Sequence, residues 1–280
     1  MKLLMVEAER EVIGMDYKLV AIDLDDTLLA DDLEISKRTV EAIEEAQKQG
    51  VRVVIATGRM HSSALPYAKL LGLENELITY NGALVKQLVD NQTLYHEPVS
   101  AELARQIAKV AQEYDLHINF YLDDLLYVNK AGAEADYYEE VAGIKPILIT
   151  EDLVDFVDQP STKILIIEND KAKLKEAFAE LTAKFSDSLT ITTSKANFIE
   201  IMSQEVYKGN TLANLATELG IEAEEVMAIG DSYNDLEMIE YAGLGVAVGN
   251  AKEEIKEEAD YITGANDEEG VAQVIEKFIL

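Results

Sequence analysis

The sequence predicts an α/β protein, a doubly wound and mostly parallel sheet core with an inserted α+β cap domain. Three observations lead there. Short apolar runs alternate with amphipathic segments from residue 18 to about 83 and resume after about 196, the pattern of strand-helix-strand units around a parallel sheet. Between them strands outnumber helices and come in pairs around turn residues, which suits an antiparallel sheet. The 280 residues exceed one typical domain and leave room for two, each with its own core. The expected division is therefore a core domain from 1–83 and 196–280, interrupted by an insertion at 84–195. Residues 1–14 stand ahead of Met15 as a helical extension or a start-site artefact.

In chain order, residues 19–24 form the first strand, and Ser36 caps a helix that Gly50 closes before the strand at 51–56. A helix at 62–71 stops at Gly72 and leads to a strand at 76–79. In the insertion, 84–89 and 93–96 flank Asp90-Asn91-Gln92 as a hairpin, and 116–122 and 125–128 flank Asp123-Asp124 in the same way. One helix carries Leu103, Ile107, Val110 and Ala111 on one face, and a second runs over 171–185. The outer alternation returns with a strand at 198–201, a helix at 210–219, a strand at 225–229, a helix from Asn234, a strand at 244–248 and two final helices.

The excess of 54 acidic over 24 basic residues, a formal charge of −30, repels nucleic acid and anionic membrane surfaces. The absence of cysteine excludes disulfides and thiol chemistry and fits a reducing compartment. No apolar run approaches membrane-spanning length, and Glu7, Glu9 and Glu11 stand where a secretion signal would be apolar. The expectation is a cytoplasmic protein, a monomer or weak homodimer, with no nucleic-acid or membrane partner.

The chemistry gathers where strands end. Asp23, Asp25 and Asp26 terminate the first apolar run, and unpaired carboxylates cannot continue into a buried strand. Clustered carboxylates need a cation, and without cysteine and with three scattered histidines, Mg2+ is the natural candidate. Thr57-Gly58-Arg59, Lys208 and Gly230-Asp231-Ser232-Tyr233-Asn234-Asp235 also end or follow outer strands, and strand C-termini of a parallel sheet share one edge. An aspartate there can attack phosphorus, and a second carboxyl two residues on can serve as general acid and then base. Thr57, the neighbouring backbone N–H groups and Lys208 can hold phosphate oxygens.

These motifs resemble the four of the haloacid dehalogenase-like hydrolases, and more closely the Cof-type phosphatases. Asn81-Gly82-Ala83, Phe198-Ile-Glu200-Ile and the tail from Asn266 to Ala272 extend the resemblance over nearly all of 16–280. The resemblance implies a Mg2+-dependent phosphatase of small phosphorylated metabolites, sugar phosphates first. It makes Asp23 the nucleophile and Asp25 the acid/base. It holds the metal with the Asp23 carboxylate, the Asp25 carbonyl and Asp231, supported by Asp235. It gives the phosphate Thr57, Gly58, Lys208 and Asn234, or lets Asn234 orient Lys208, and lets Arg59 reach the substrate. Insertion between the second and third motifs implies a type-two cap that selects the substrate. Asp26 replaces a frequent glycine, harmless if it faces solvent.

Each feature also has a plainer reading. A lone Asp-x-Asp is more often a turn, a lone lysine a solvated one, and Tyr121, Tyr127, Tyr137 and Tyr138 more often core than pocket. The three histidines read as structural or surface residues. A phosphotransferase or mutase remains an alternative, as does a phospho-accepting signalling domain, although in such receivers the lysine comes last and here Lys208 precedes Asp231.

Overall fold

The computed structural model describes residues 16–193, 195–204 and 206–280, so the expected extension at 1–14 lies outside them. The first stretch contains β1 (Leu19–Ile22), α1 (Lys37–Lys48), β2 (Arg52–Ala56), α2 (His61–Leu70), β3 (Glu76–Thr79), β4 (Leu84–Gln87) and β5 (Thr93–His96). The middle contains α3 (Ala101–Glu113), β6 (His117–Leu122), β7 (Leu125–Val128), α4 (Ala133–Ala142), β8 (Ile147–Leu148), α5 (Leu153–Phe156), β9 (Ile164–Ile167), α6 (Lys171–Phe185), β10 (Leu189–Thr192) and β11 (Phe198–Ser203). The last stretch contains α7 (Lys208–Leu219), β12 (Val226–Gly230), α8 (Leu236–Tyr241), β13 (Leu244–Ala247), α9 (Glu253–Glu258), β14 (Tyr261–Ile262) and α10 (Gly270–Phe278).

The described residues divide into two compact units, one of 16–58, 64–94 and 207–280, the other of 59–63, 95–193, 195–204 and 206. The first is built on an eight-stranded sheet in the order β14-β13-β12-β1-β2-β3-β4-β5. From β14 to β3 every neighbour is parallel, and β3 and β4 are antiparallel. The central β1 is buried along its whole length, as expected of a strand covered on both faces. Its helices bury apolar stripes such as Ile43 of α1 and Val271, Val274 and Ile275 of α10 in one cluster with Val20 and Ile22. Ser36 does cap α1, accepting from the Thr39 N–H at 3.2 Å.

The second unit has a six-stranded sheet in the order β10-β11-β9-β6-β7-β8, antiparallel except for β7 with β8. The hairpin expected around Asp123-Asp124 is β6–β7, and both turn residues take left-handed backbone, φ 51 and 61. Ile118, Phe120, Ile164, Ile166, Ile199 and Ile201 share a core with Ile107 and Val110 of α3. Tyr121 is buried and Tyr127 packs against that core, whereas Tyr137 is partly exposed, with its ring edge-on to that of Phe198 at 6.1 Å.

Two expectations are corrected. The sequence places the strand at 84–89 in the insertion, but β4 pairs with β3, Ile78 opposite Val85, and so extends the parallel-sheet unit. The sequence assigns the strand at 198–201 to the return of that unit, but β11 lies between β9 and β10. Alternation of apolar residues identifies a strand; it carries no information on which sheet receives it. Among the described residues no helix is long and apolar enough to cross a membrane.

Candidate active site

The parallel sheet places β12, β1 and β2 side by side, so the residues that follow them emerge at one edge. Asp23 follows β1 and continues its ladder, donating its N–H to the Ile229 carbonyl at 2.9 Å. The chain then turns through residues 24–28. Asp25 keeps extended backbone (φ −78°, ψ 134°), Asp26 enters the left-handed region (φ 58°), and the Leu29 N–H closes the loop on the Leu24 carbonyl at 2.9 Å. Asp26 is exposed, which is why an aspartate, the side chain that best tolerates this backbone after glycine and asparagine, can occupy the position.

Lys208 begins α7 with its side chain fully buried, and its Nζ meets Asp23 Oδ1 at 2.5 Å and Asp235 Oδ1 at 2.6 Å. The sequence reading gave Asn234 as one means of orienting this lysine; Asp23 and Asp235 do so instead. Asn234 is exposed and donates Nδ2 to Asn81 Oδ1 at 3.0 Å. Asp235, fully buried, also fastens its own loop, its Oδ2 accepting the N–H groups of Asp231 (3.1 Å) and Ser232 (3.0 Å). Gly230 is required beside it, because a Cβ there would lie 2.5 Å from the Asp235 Cβ.

Thr57 follows β2 fully buried, donating its N–H to Ile78 O and accepting from the Asn81 N–H, each at 3.0 Å. Gly58 completes this stretch of the parallel-sheet unit, whereas Arg59 falls in the compact unit of residues 95–206. Thr27, not singled out from sequence, donates Oγ1 to Asp231 Oδ1 at 3.1 Å. Asn250 was missed altogether: its Nδ2 donates to the Asp26 carbonyl at 2.7 Å, and its Oδ1 accepts the Asn266 N–H at 2.9 Å. Asn266, part of the tail motif, donates in turn to the Leu29 carbonyl at 3.0 Å. The acidic loop is thus held at its middle and its C-terminal end by amide side chains.

Carboxylate oxygens of Asp23, Asp231 and Asp235 lie within 4.8 Å of one another. Lys208 supplies one positive charge for three acids, and the imbalance shows in the titration of Asp23 and Asp231. Burial and the neighbouring Asp235 push Asp23 well above the usual carboxylate range in spite of Lys208, and burial with Asp235 lifts Asp231 to about 6. Lys208 is desolvated, yet Asp23 and Asp235 hold it above the ordinary lysine value. Oxygen donors with surplus negative charge fit a hard divalent cation. Since Asp235 is committed to Lys208 and two amides, Asp23 and Asp231 are the carboxylates suited to ligate it. Asp25 belongs to the same loop and is half-buried.

A family profile described as haloacid dehalogenase-like hydrolase matches residues 20–275. The chain is 35% identical over 274 residues to the 5-amino-6-(5-phospho-D-ribitylamino)uracil phosphatase YcsE of Bacillus subtilis (strain 168), covering 95% of this chain and 97% of that one. It is 30% identical over 292 residues to phosphatase YwpJ of the same organism, covering 94% and 100%. The crystal structure of a haloacid dehalogenase-like hydrolase from Bacteroides thetaiotaomicron superposes with a TM-score of 0.86 at 33% identity, covering 93% of this chain and 99% of that one. With a buried aspartate-lysine site at the edge of a doubly wound sheet, the chain belongs to the haloacid dehalogenase-like hydrolases and is a phosphoric monoester hydrolase.

Proposed function

We propose that the chain is a cytoplasmic Mg2+-dependent phosphatase that hydrolyses phosphomonoesters of small sugar-derived metabolites through an aspartyl phosphate on Asp23. The observation that carries this reading is the buried contact of Lys208 with Asp23 at 2.5 Å inside the carboxylate cluster. A carboxylate oriented by a lysine beside a cation site is a nucleophile that can approach an anion. Bound Mg2+ would supply the positive charge that offsets repulsion between Asp23 and the phosphate dianion.

In the first step an Asp23 carboxylate oxygen bonds to phosphorus as the bond to the substrate's ester oxygen breaks, and the Asp25 carboxyl gives its proton to that leaving oxygen. In the second, the Asp25 carboxylate takes a proton from water, the water oxygen bonds to phosphorus, and the Asp23–phosphorus bond breaks. One residue serves as acid and then base because the second step needs the reverse transfer. Thr57, the Gly58 N–H, Asn234 and Lys208 bind the phosphoryl oxygens, with a preorganised charge at Lys208 that needs no rearrangement during reaction. Asp235 holds Lys208 and the Asp231 loop in place. Substrate choice is assigned to the inserted unit and to Arg59 within it.

The substrate class is supported by YcsE, whose name specifies a phosphate on a ribityl chain, a sugar-derived primary alcohol. Release of inorganic phosphate from a panel of sugar, polyol, nucleotide and amino-acid phosphates, with and without Mg2+, tests the proposal. The expected result is metal-dependent turnover highest on the sugar and polyol esters. Equal turnover in chelator, or transfer of the phosphoryl group only to a second alcohol, would overturn it.

A further inference from the structure

The Asn81-Gly82 motif has no part in the chemistry above, yet it joins three of the loops that carry it. Tyr80, Asn81 and Gly82 are three successive residues in left-handed backbone, φ 53, 55 and 105, an arrangement that costs energy for the first two and persists only where surrounding bonds hold it. Those bonds lead to the site. The Asn81 N–H donates to the Thr57 carbonyl at 3.0 Å, and the Gly82 carbonyl accepts from Thr211 Oγ1 at 3.0 Å, on the first turn of the helix that Lys208 begins. The Asn81 side chain reaches Asn234, accepting its Nδ2 at 3.0 Å. Asn81 Oδ1 also lies 2.8 Å from where a Cβ of Gly58 would stand, so the amide fills the space that this glycine leaves.

We propose that Asn81 is a positioning residue for phosphate binding: its side-chain carbonyl holds the Asn234 amide so that the second Nδ2 hydrogen is presented to a phosphate oxygen, while its backbone N–H fixes Thr57. An asparagine amide nitrogen has two hydrogens, and Asn81 Oδ1 engages one of them. Without that acceptor the exposed Asn234 side chain turns about its rotamers, and phosphate binding must order it. The choice of asparagine has a second reason, because the position needs both an acceptor and a backbone at φ 55. This inference rests on the reading of Asn234 as a phosphate ligand.

The test is Asn81→Gly, which keeps the left-handed backbone accessible and removes only the amide. Binding of inorganic phosphate in the presence of Mg2+, measured by calorimetry on the full chain, requires no turnover and so is separate from the fate of the proposed reaction. Asn81→Gly is expected to weaken phosphate about tenfold and to raise KM by a similar factor with a smaller change in kcat. In an Asn234→Ala background the same substitution should change phosphate affinity by less than about twofold, since the group through which Asn81 acts is gone. Full tenfold weakening in both backgrounds, unchanged phosphate affinity, or no phosphate binding by the wild type would each overturn the proposal. Should Asn81→Gly not fold, Asn81→Ser, whose hydroxyl is too short to reach Asn234, carries the same expectations. Loss of metal-dependent turnover by the wild type, with the phosphate results as expected, would instead remove the proposed reaction and leave the role of Asn81 standing.

Discussion

Replacing Lys208 with methionine, close in length and apolar, removes the ammonium that meets Asp23 at 2.5 Å and Asp235 at 2.6 Å and leaves carboxylates within 4.8 Å of one another facing a fully buried thioether. Removing one partner of a buried ion pair costs about 3–5 kcal/mol, because the remaining charge is neither solvated nor paired. For a protein of this size each kcal/mol shifts the melting temperature by about 2–4 °C, so Lys208→Met should melt roughly 6–20 °C below wild type near pH 7.5. The deficit should depend on pH in one direction. Burial and Asp235 already raise Asp23 above its unfolded value, and without Lys208 it rises further. A carboxyl raised by folding contributes stability that is complete below its unfolded pKa and lost as pH climbs through the folded one, so the deficit should shrink on going from about pH 8 towards 5 and be smallest below about 4. Thermal denaturation in metal-free buffer across that range measures both quantities. A variant within about 2 °C of wild type at pH 7.5, or a deficit that grows on acidification, would refute the electrostatic explanation.

The wild type should show a weaker form of the same dependence: with Asp231 at about 6 and Asp23 raised, metal-free protein loses stability as pH rises through the folded values, and added Mg2+ should raise the melting temperature more near about pH 8 than near 5. An equal Mg2+ effect at both pH values would count against the carboxylate cluster as the binding site. Gly230→Ala forces a Cβ against the Asp235 side chain and should cost about 1–3 kcal/mol by denaturation, with a proportionally larger loss of phosphate release because Lys208 and the Asp231 loop shift with Asp235. At Asp26, glycine should be neutral within about 0.5 kcal/mol, whereas valine at φ 58 should lose about 1–2 kcal/mol; equal stabilities would show that the loop relaxes out of the left-handed conformation.

The acids and the lysine were legible because a charged side chain at the end of an apolar run has few places to go. Asp23, Asp231 and Thr57 follow strands that a parallel sheet brings side by side, so strand recognition alone predicts that they share one edge. Asp235 is a support, as the sequence suggested, but nothing in a run of residues tells that its carboxylate turns inward to Lys208. Asn81, Asn250 and Asn266 carried still less signal: each acts through an amide on a backbone carbonyl or a second amide, and Asn250 reaches across 224 positions of chain to Asp26. The sheet membership of β4 and β11 was illegible for a different reason, because the same apolar alternation serves either sheet and only the partner strand decides. The exposed, left-handed geometry of Asp26, by contrast, accounts for the ease with which an aspartate occupies that position.

The most direct test concerns the covalent step at Asp23. Protein mixed with a turned-over phosphomonoester and Mg2+, quenched in acid within one turnover and digested for mass spectrometry, should carry one phosphoryl group on the peptide containing Asp23, absent from Asp23→Asn, which should also release no phosphate above background. Phosphate release by Asp23→Asn at the wild-type rate, or a phosphoryl group found on another residue, would contradict the assignment of Asp23 as the nucleophile.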